Sequence, residues 1–192
     1  MQVMLRNIPM GFPALGAPQA FGEGEPAYGA KFVVKPGSDH EKALDAAILE
    51  AAKDKWNDKA ESIVKMLVED GKVCFVKKVY KSKKTGEPYA GFEGAHYLSA
   101  RNASTQPTVF NQYGEEVTGK SDIERQAFSG AIVNASVDIW AQDNKWGRRI
   151  NCTLRGVMLT GEGENVGGGA APASANDFSA FAKPKADAAD LL

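Results

Sequence analysis

The chain has 192 residues, 43% of them hydrophobic and 24% charged, with a formal net charge of −1. That suffices for one well-buried domain with appendages and excludes a low-complexity or fibrous chain. No apolar run approaches the roughly 20 residues that cross a bilayer, and no charged segment followed by an apolar one opens the chain as a leader would. The two cysteines, Cys74 and Cys152, sit in apolar, strand-like segments; that placement predicts buried thiols in a reducing, cytosolic compartment and not a disulfide framework.

Gln2 to Met10 predicts a first strand, ended by Pro9. Gly11 to Pro26 is rich in Gly and Pro and predicts a long loop, anchored by Phe12, Leu15 and Phe21. Tyr28 to Val34 predicts a second strand, stopped by Pro36-Gly37. Ser38 and Glu41 have the spacing of a capping box, and Leu44, Ala47, Ile48 and Ala51 then share one helical face. Trp56 near the end of that helix reads as a plug for the core. Asn57 to Val68 predicts a second helical segment, closed by Asp70-Gly71.

Lys72 to Arg101 follows, and the chain is organised around it. It begins as a strand over Val73 to Val76 and then turns basic, with six lysines from Lys72 to Lys84 and no acid among them. Thr85-Gly86-Glu87-Pro88 marks a turn, and the returning arm carries Tyr89, Phe92, His96 and Tyr97. Lysines neutralise phosphates and rings stack unpaired bases, so cations interleaved with aromatics suit a single-stranded nucleic acid. The plainer reading is an edge hairpin whose lysines block strand-to-strand aggregation.

Ala95 to Ala103 continues as a strand, with Leu98 and Ala100 on one face and Tyr97, Ser99 and Arg101 on the other. Thr108 to Phe110 is short and β-prone, and Asn111 to Ser129 reads as a polar loop. Gly130 to Trp140 alternates, with Val133, Ala135, Val137 and Ile139 inward. Arg148 to Leu159 alternates again, with Ile150, Cys152 and Leu154 inward and Arg149, Asn151, Thr153 and Arg155 outward. Together these elements predict a mainly β chain with a helical insertion: an OB-fold-like barrel of five to six strands over residues 1–160. A β-sandwich is the alternative. Residues 161–192 are Gly/Ala-rich and predict a disordered C-terminal tail. From Gly161 onward five acids meet two lysines, so this end carries −3 and the body +2.

Little of this supports an enzyme. His40 lies in the first turn of the helix, where a solvated histidine is usual, and His96 sits among aromatics, where stacking or packing suffices. Two histidines and two separated cysteines lack zinc-ligand spacing, and Gly161 to Gly169 has no following Lys-Ser/Thr pair to make a phosphate loop. No metal or cofactor is expected. The binding residues are instead Lys77, Lys78, Tyr80, Lys81, Lys83, Lys84, Tyr89 and Phe92 on the hairpin. Tyr97, Arg101, Trp140, Arg149 and Arg155 join them on outward strand faces. Trp146, near the last turn, is either a second stacking ring or another plug.

The succession of motifs resembles the bacteriophage-type single-stranded-DNA-binding proteins with an OB fold. The resemblance runs over most of residues 1–160. It is carried by Gly24-Glu25-Pro26-Ala27-Tyr28, Phe32-Val33-Val34-Lys35, Ala51-Ala52-Lys53-Asp54-Lys55-Trp56, Gly94-Ala95-His96-Tyr97-Leu98-Ser99-Ala100 and Leu154-Arg155-Gly156-Val157-Met158-Leu159, with Asp177-Phe178 beyond them. It implies sequence-independent binding and protection of single-stranded DNA in phage replication, recombination or repair, without cofactor or catalysis, in the host cytoplasm. It also implies replication or recombination proteins as partners of the tail. Family members often end in a strongly acidic tail; here Lys183 and Lys185 interrupt it and the chain ends Ala189-Asp190-Leu191-Leu192. A structural or protein-interaction module with a lysine-rich edge is the reading from another class.

Overall fold

The computed structural model describes residues 1–20 and 24–166. Strand β1 (Gln2–Gln19) is the longest strand among the described residues. Its first half pairs antiparallel with β6 (Ala131–Asn144) and its second half with β2 (Ala27–Val34). Strand β2 pairs with β4 (His96–Asn102), and β6 pairs with β7 (Gly147–Gly163). One parallel contact, Arg101 to Thr153, joins β4 to β7. The ring β1-β2-β4-β7-β6 therefore closes, which makes the fold the expected barrel of OB type and not the alternative sandwich that alternation alone left open. Two short strands lie outside it: β3 (Phe75–Val76) on β4 and β5 (Thr108–Phe110) on β7.

The predicted inward faces of β4, β6 and β7 fill the barrel, joined by residues of β1 and β2 for which no face was predicted. Leu5, Ile8, Phe32, Val34, Leu98, Val137, Ile139 and Leu154 are all fully buried. Helix α1 (Asp39–Trp56) follows the capping signal. The Ser38 hydroxyl accepts from Glu41 N at 3.3 Å, and the Glu41 carboxylate reaches one residue past the cap to accept from Gly37 N at 2.5 Å. Its Leu44–Ala51 face is buried as predicted, and the Trp56 indole donates to Asp143 at 2.9 Å, fastening the helix to β6. A 3-10 turn (Asn57–Lys59) leads into α2 (Ala60–Glu69).

Three expectations need correction. Gly11 to Gln19 is strand, not loop. Its Gly and Pro residues fall where β1 changes partner: the β1–β2 register shifts between Gly11 and Ala14 and again between Ala14 and Gln19, spans that contain Pro13 and Pro18. Bulges are where a sheet tolerates proline. Asn7 and Phe12 have φ of 50°, and hydrogen bonds from their amides to Asn134 and Ser129 side chains hold these bends. Leu15 is a buried anchor as predicted, Phe12 joins an aromatic cluster, and Phe21 lies outside the described residues. The second correction is a helix, α3 (Lys120–Gln126), inside the predicted loop of residues 111–129. It buries Ile123, and one buried apolar residue leaves no period to read. The third is β7, which runs to Gly163, with Val166 N bonded to Ser129 O at 2.9 Å. Of the predicted tail, residues 167–192 lie outside the described residues.

Candidate nucleic-acid interface

The lysine-rich stretch is not a hairpin of two strands. Only Phe75–Val76 pair with β4, and the chain then leaves as an irregular loop over residues 77–95. The predicted turn survives at its tip. Lys81 bridges Pro88, Ser82 N bonds Glu87 O at 2.8 Å, and Gly86 takes a φ of 75° that a side chain would resist. Lysines flanking one another leave no apolar alternation for strand arms, so the loop is held elsewhere.

That anchor is aromatic. Phe92 is 1% exposed, and its ring fills the space over Gly11, where an added Cβ would come within 2.6 Å of it. Phe12 meets Tyr89 edge-on with centroids 4.8 Å apart, and Tyr80 stacks on Tyr89 at 4.9 Å. Lys77, at the root, is bound to Glu41 at 3.0 Å and Asp45 at 2.6 Å on α1. Partial burial opposes its charge, but those two carboxylates outweigh it and raise its pKa. Lys77 therefore fastens the loop and has no free charge to offer, and Phe92 presents no ring face to solvent; both were expected to contact nucleic acid. Lys78, Lys81, Lys83 and Lys84 are exposed and form no ion pair among the described residues.

A separate surface forms where four strands lie side by side. The outward residues of β2, β4, β7 and β6 line an open groove of about 840 Å³. Register brings them together. Lys31 faces Ser99 and Gly29 faces Arg101 across β2–β4, Arg101 faces Thr153 across the seam, and Trp140 faces Asn151 and Gln142 faces Arg149 across β6–β7. Beyond the seam contact the two closing strands part, and residues 72–76 wedge between them. Cys74 N bonds Ile150 O at 3.0 Å, Ile150 N bonds Lys72 O at 3.0 Å, and Ser99 N bonds Cys74 O at 2.9 Å. This wedge adds Lys72 to the rim and places both cysteines in the lining, Cys152 buried and Cys74 half-buried. The Cys74 thiol beside it and its own burial push the Cys152 thiol up, which keeps Cys152 a packing group.

The groove is basic, with rings at both sides. Lys31, Lys72, Arg101 and Arg149 line it, Lys72 sharing its charge with exposed Asp70 at 3.0 Å, and Glu25 is the one carboxylate among its described lining residues. Asp138, two residues before Trp140 on the same face of β6, is bound to the N-terminal ammonium at 2.9 Å. Trp140 is 41% exposed, and its indole donates to Thr153 at 3.0 Å, so the ring is oriented yet open. Tyr97 is half-buried on β4. Arg101 donates to the Glu25 carbonyl at 3.0 Å, which ties the β1–β2 connection to the groove's end.

Of the predicted residues, the groove gathers Tyr97, Arg101, Trp140 and Arg149. The loop carries Lys78, Tyr80, Lys81, Lys83, Lys84 and Tyr89. Arg155 joins neither: it is the extra residue of a β-bulge, where Ser136 pairs with Gly156 but Val137 pairs with Leu154, and it is exposed away from the groove. Trp146, at the hairpin tip, is 78% exposed with Lys145 over its ring at 5.1 Å, so it plugs nothing. Lys31 and Gln142 were missed. The signal for Lys31 was present, since it alternates with buried Ala30 and Phe32, but only the β2–β4 register reveals what it faces.

These features match known proteins. A structure of the single-stranded DNA-binding protein from bacteriophage Enc34 in complex with ssDNA superposes with a TM-score of 0.70 at 24% identity, over 86% of this chain and 89% of that one. A C-terminal truncation of the same phage protein gives 0.65 at 25% identity, over 85% and 87%. Gp2.5, a single-stranded DNA binding protein encoded by bacteriophage T7, shares the fold at 0.52 and 11% identity, over 95% and 96%. No curated protein sequence matches the chain. The family described as Enterobacter phage Enc34, ssDNA-binding protein, matches residues 1–192, and the chain belongs to that family.

Proposed function

We propose that this protein binds single-stranded DNA along the barrel groove, independently of sequence and without catalysis, in phage DNA replication, recombination or repair in the host cytoplasm. One observation carries the reading: four cations and two accessible rings share one open groove. The cations neutralise phosphates, and Trp140 and Tyr97 reward unpaired bases, whose faces a duplex hides. Groove residues capable of base-edge hydrogen bonding, such as Gln142 and Asn151, also bond each other at 3.2 Å, which suits a surface indifferent to base identity. The loop lysines add positive potential that draws the strand in from a distance. Replication or recombination proteins are the proposed partners of the C-terminal segment. There Asp177-Phe178, Phe181 and Asp190-Leu191-Leu192 combine carboxylates with apolar anchors.

The test is a gel shift with matched single- and double-stranded oligonucleotides. Tight single-strand binding with weak duplex binding is expected. Weak, equal binding to both would instead identify a scaffold whose lysines merely guard an edge, and would overturn the proposal.

A further inference from the structure

We propose that the single strand does not leave the protein at the end of the groove. It turns at Lys31, whose ammonium seats a phosphate, and continues along the rings of Tyr97, Tyr80 and Tyr89 onto the 77–95 loop. This rests on the groove being the single-strand site, and it extends that site by a second subsite built on different elements.

The groove and the loop share a junction. Tyr97 and Lys31 line the groove. From Tyr97 the next ring, Tyr80, is 4.9 Å away, and from Tyr80 the next, Tyr89, is again 4.9 Å away. Three half-buried rings thus lead out of the groove in even steps, each keeping part of its surface in solvent. The ladder is fixed from beneath by Phe12, edge-on to both Tyr80 and Tyr89, and by buried Phe92 at 5.5 Å from Tyr80. Its far end carries Lys81, Lys83 and Lys84, exposed and without ion pairs among the described residues, against Glu87 and Glu93 on the same loop. A strand laid on the ladder would find cations beside it for its phosphates.

Lys31 holds the corner. Its ammonium lies 4.4 Å from the Tyr80 ring centre and 5.0 Å from that of Tyr97, and it donates to the Ser99 hydroxyl at 2.7 Å. The charged and titratable groups around it are Tyr97 and Arg101 from β4 and Tyr80 from the loop. Glu25, Lys72, Cys74 and Arg149 line the same groove. Among the described residues no carboxylate is bonded to it. Burial, with Arg101 adding to it, lowers the Lys31 pKa to about 8. A phosphate brought to this corner supplies the missing counter-charge, so binding takes up a proton. Affinity is then highest below pH 8 and falls as pH rises through the free pKa, by up to about tenfold between pH 7 and 9.

The experiment uses the full chain, with tryptophan fluorescence read against two oligothymidylates. One is about 5 nucleotides long, enough for the groove, and the other about twice that, within the range of site sizes such barrels cover. Tyr89→Ala should leave the short oligomer's affinity unchanged and weaken the long one about 5- to 150-fold, while Tyr89→Phe, which keeps the ring, restores it. Lys31→Met should flatten the pH dependence between pH 7 and 9. Equal losses on both oligomers, or none on either, together with an unaltered pH profile in Lys31→Met, would overturn the extended path. A wild-type protein that binds neither oligomer would overturn the groove reading itself.

Discussion

The groove and the 77–95 loop are both basic and aromatic, yet they are held in different ways. Each groove residue rides on a strand whose neighbours fix it: Arg101 beside Thr153, Trp140 beside Asn151, Gln142 beside Arg149. The loop has one bridge, a few backbone bonds and an aromatic base. Where the backbone is fixed, a ring can be aimed, and stacking geometry becomes usable. Where it is not, charge still acts, because a lysine attracts a phosphate without needing a set orientation. If the groove is the single-strand site as proposed, discrimination of single from double strands falls to its aimed rings, and the loop lysines add salt-dependent attraction to that of the groove cations, with Tyr80 and Tyr89 between them.

The largest effect should come from Phe92, which looks like a DNA contact in the sequence and is a buried anchor in the fold. Phe92→Ala should lower stability by about 3–5 kcal/mol, as for other buried phenylalanines. It should show as an earlier thermal or urea transition while the groove keeps its short-oligomer affinity. A variant that melts like the wild type but loses affinity would move Phe92 to the binding surface and collapse the distinction between the two regions. Next is Trp140→Ala, expected to cost about 1–3 kcal/mol on single strands and little on duplex. Wild-type fluorescence that stays unquenched as oligonucleotide is added would remove Trp140 from the site.

How much of this could be read beforehand follows the same division. The groove strands were legible because alternation marks a half-buried face: Leu98 and Ala100 against Tyr97 and Arg101, Ile150 and Cys152 against Arg149 and Asn151. What alternation lacks is register. Lys31 went unnoticed because nothing in β2 says that it will face Ser99, and Arg155 was assigned to the groove because a bulge reverses parity without changing the residue pattern. Val73 to Val76 of the wedge read as a strand, but the insertion of this segment into the seam is a tertiary event. Lys77 shows the limit for charge: its partners, Glu41 and Asp45, lie more than 30 positions earlier on a helix.

A smaller effect should follow from replacing Lys81, Lys83 and Lys84 with Ala. Each contacted phosphate adds about 0.7 to the slope of log affinity against log salt, so three lost contacts should flatten it by about 2. The loss of affinity is greatest at low salt. An unchanged slope would mean that the loop lysines touch no phosphate, leaving the groove cations to account for all of the salt dependence.

The smallest effect concerns the C-terminal segment, and the structure decides where to cut. Ending the chain after Thr160 would remove Gly161–Gly163 of β7 and the bond from Val166 to Ser129, whose hydroxyl also holds the bend at Phe12. Such a cut would confound the arm with the barrel. A cut after Val166 spares both. Residues 167–192 carry Asp177, Asp187 and Asp190 against Lys183 and Lys185, a net of −1, because Glu162 and Glu164 stay with the body. So small a charge can compete only weakly with DNA for a basic groove, and screening suppresses it beyond about 8 Å at physiological salt. The Val166 truncation should therefore melt within a degree or two of the full chain, the shift expected for a few tenths of a kcal/mol at this size. It should bind single strands equally well or slightly better, the gain confined to low salt. A truncated protein that melts many degrees lower would mean that residues beyond Val166 complete the core, and the segment would then belong to the fold and not to a partner-recruiting arm.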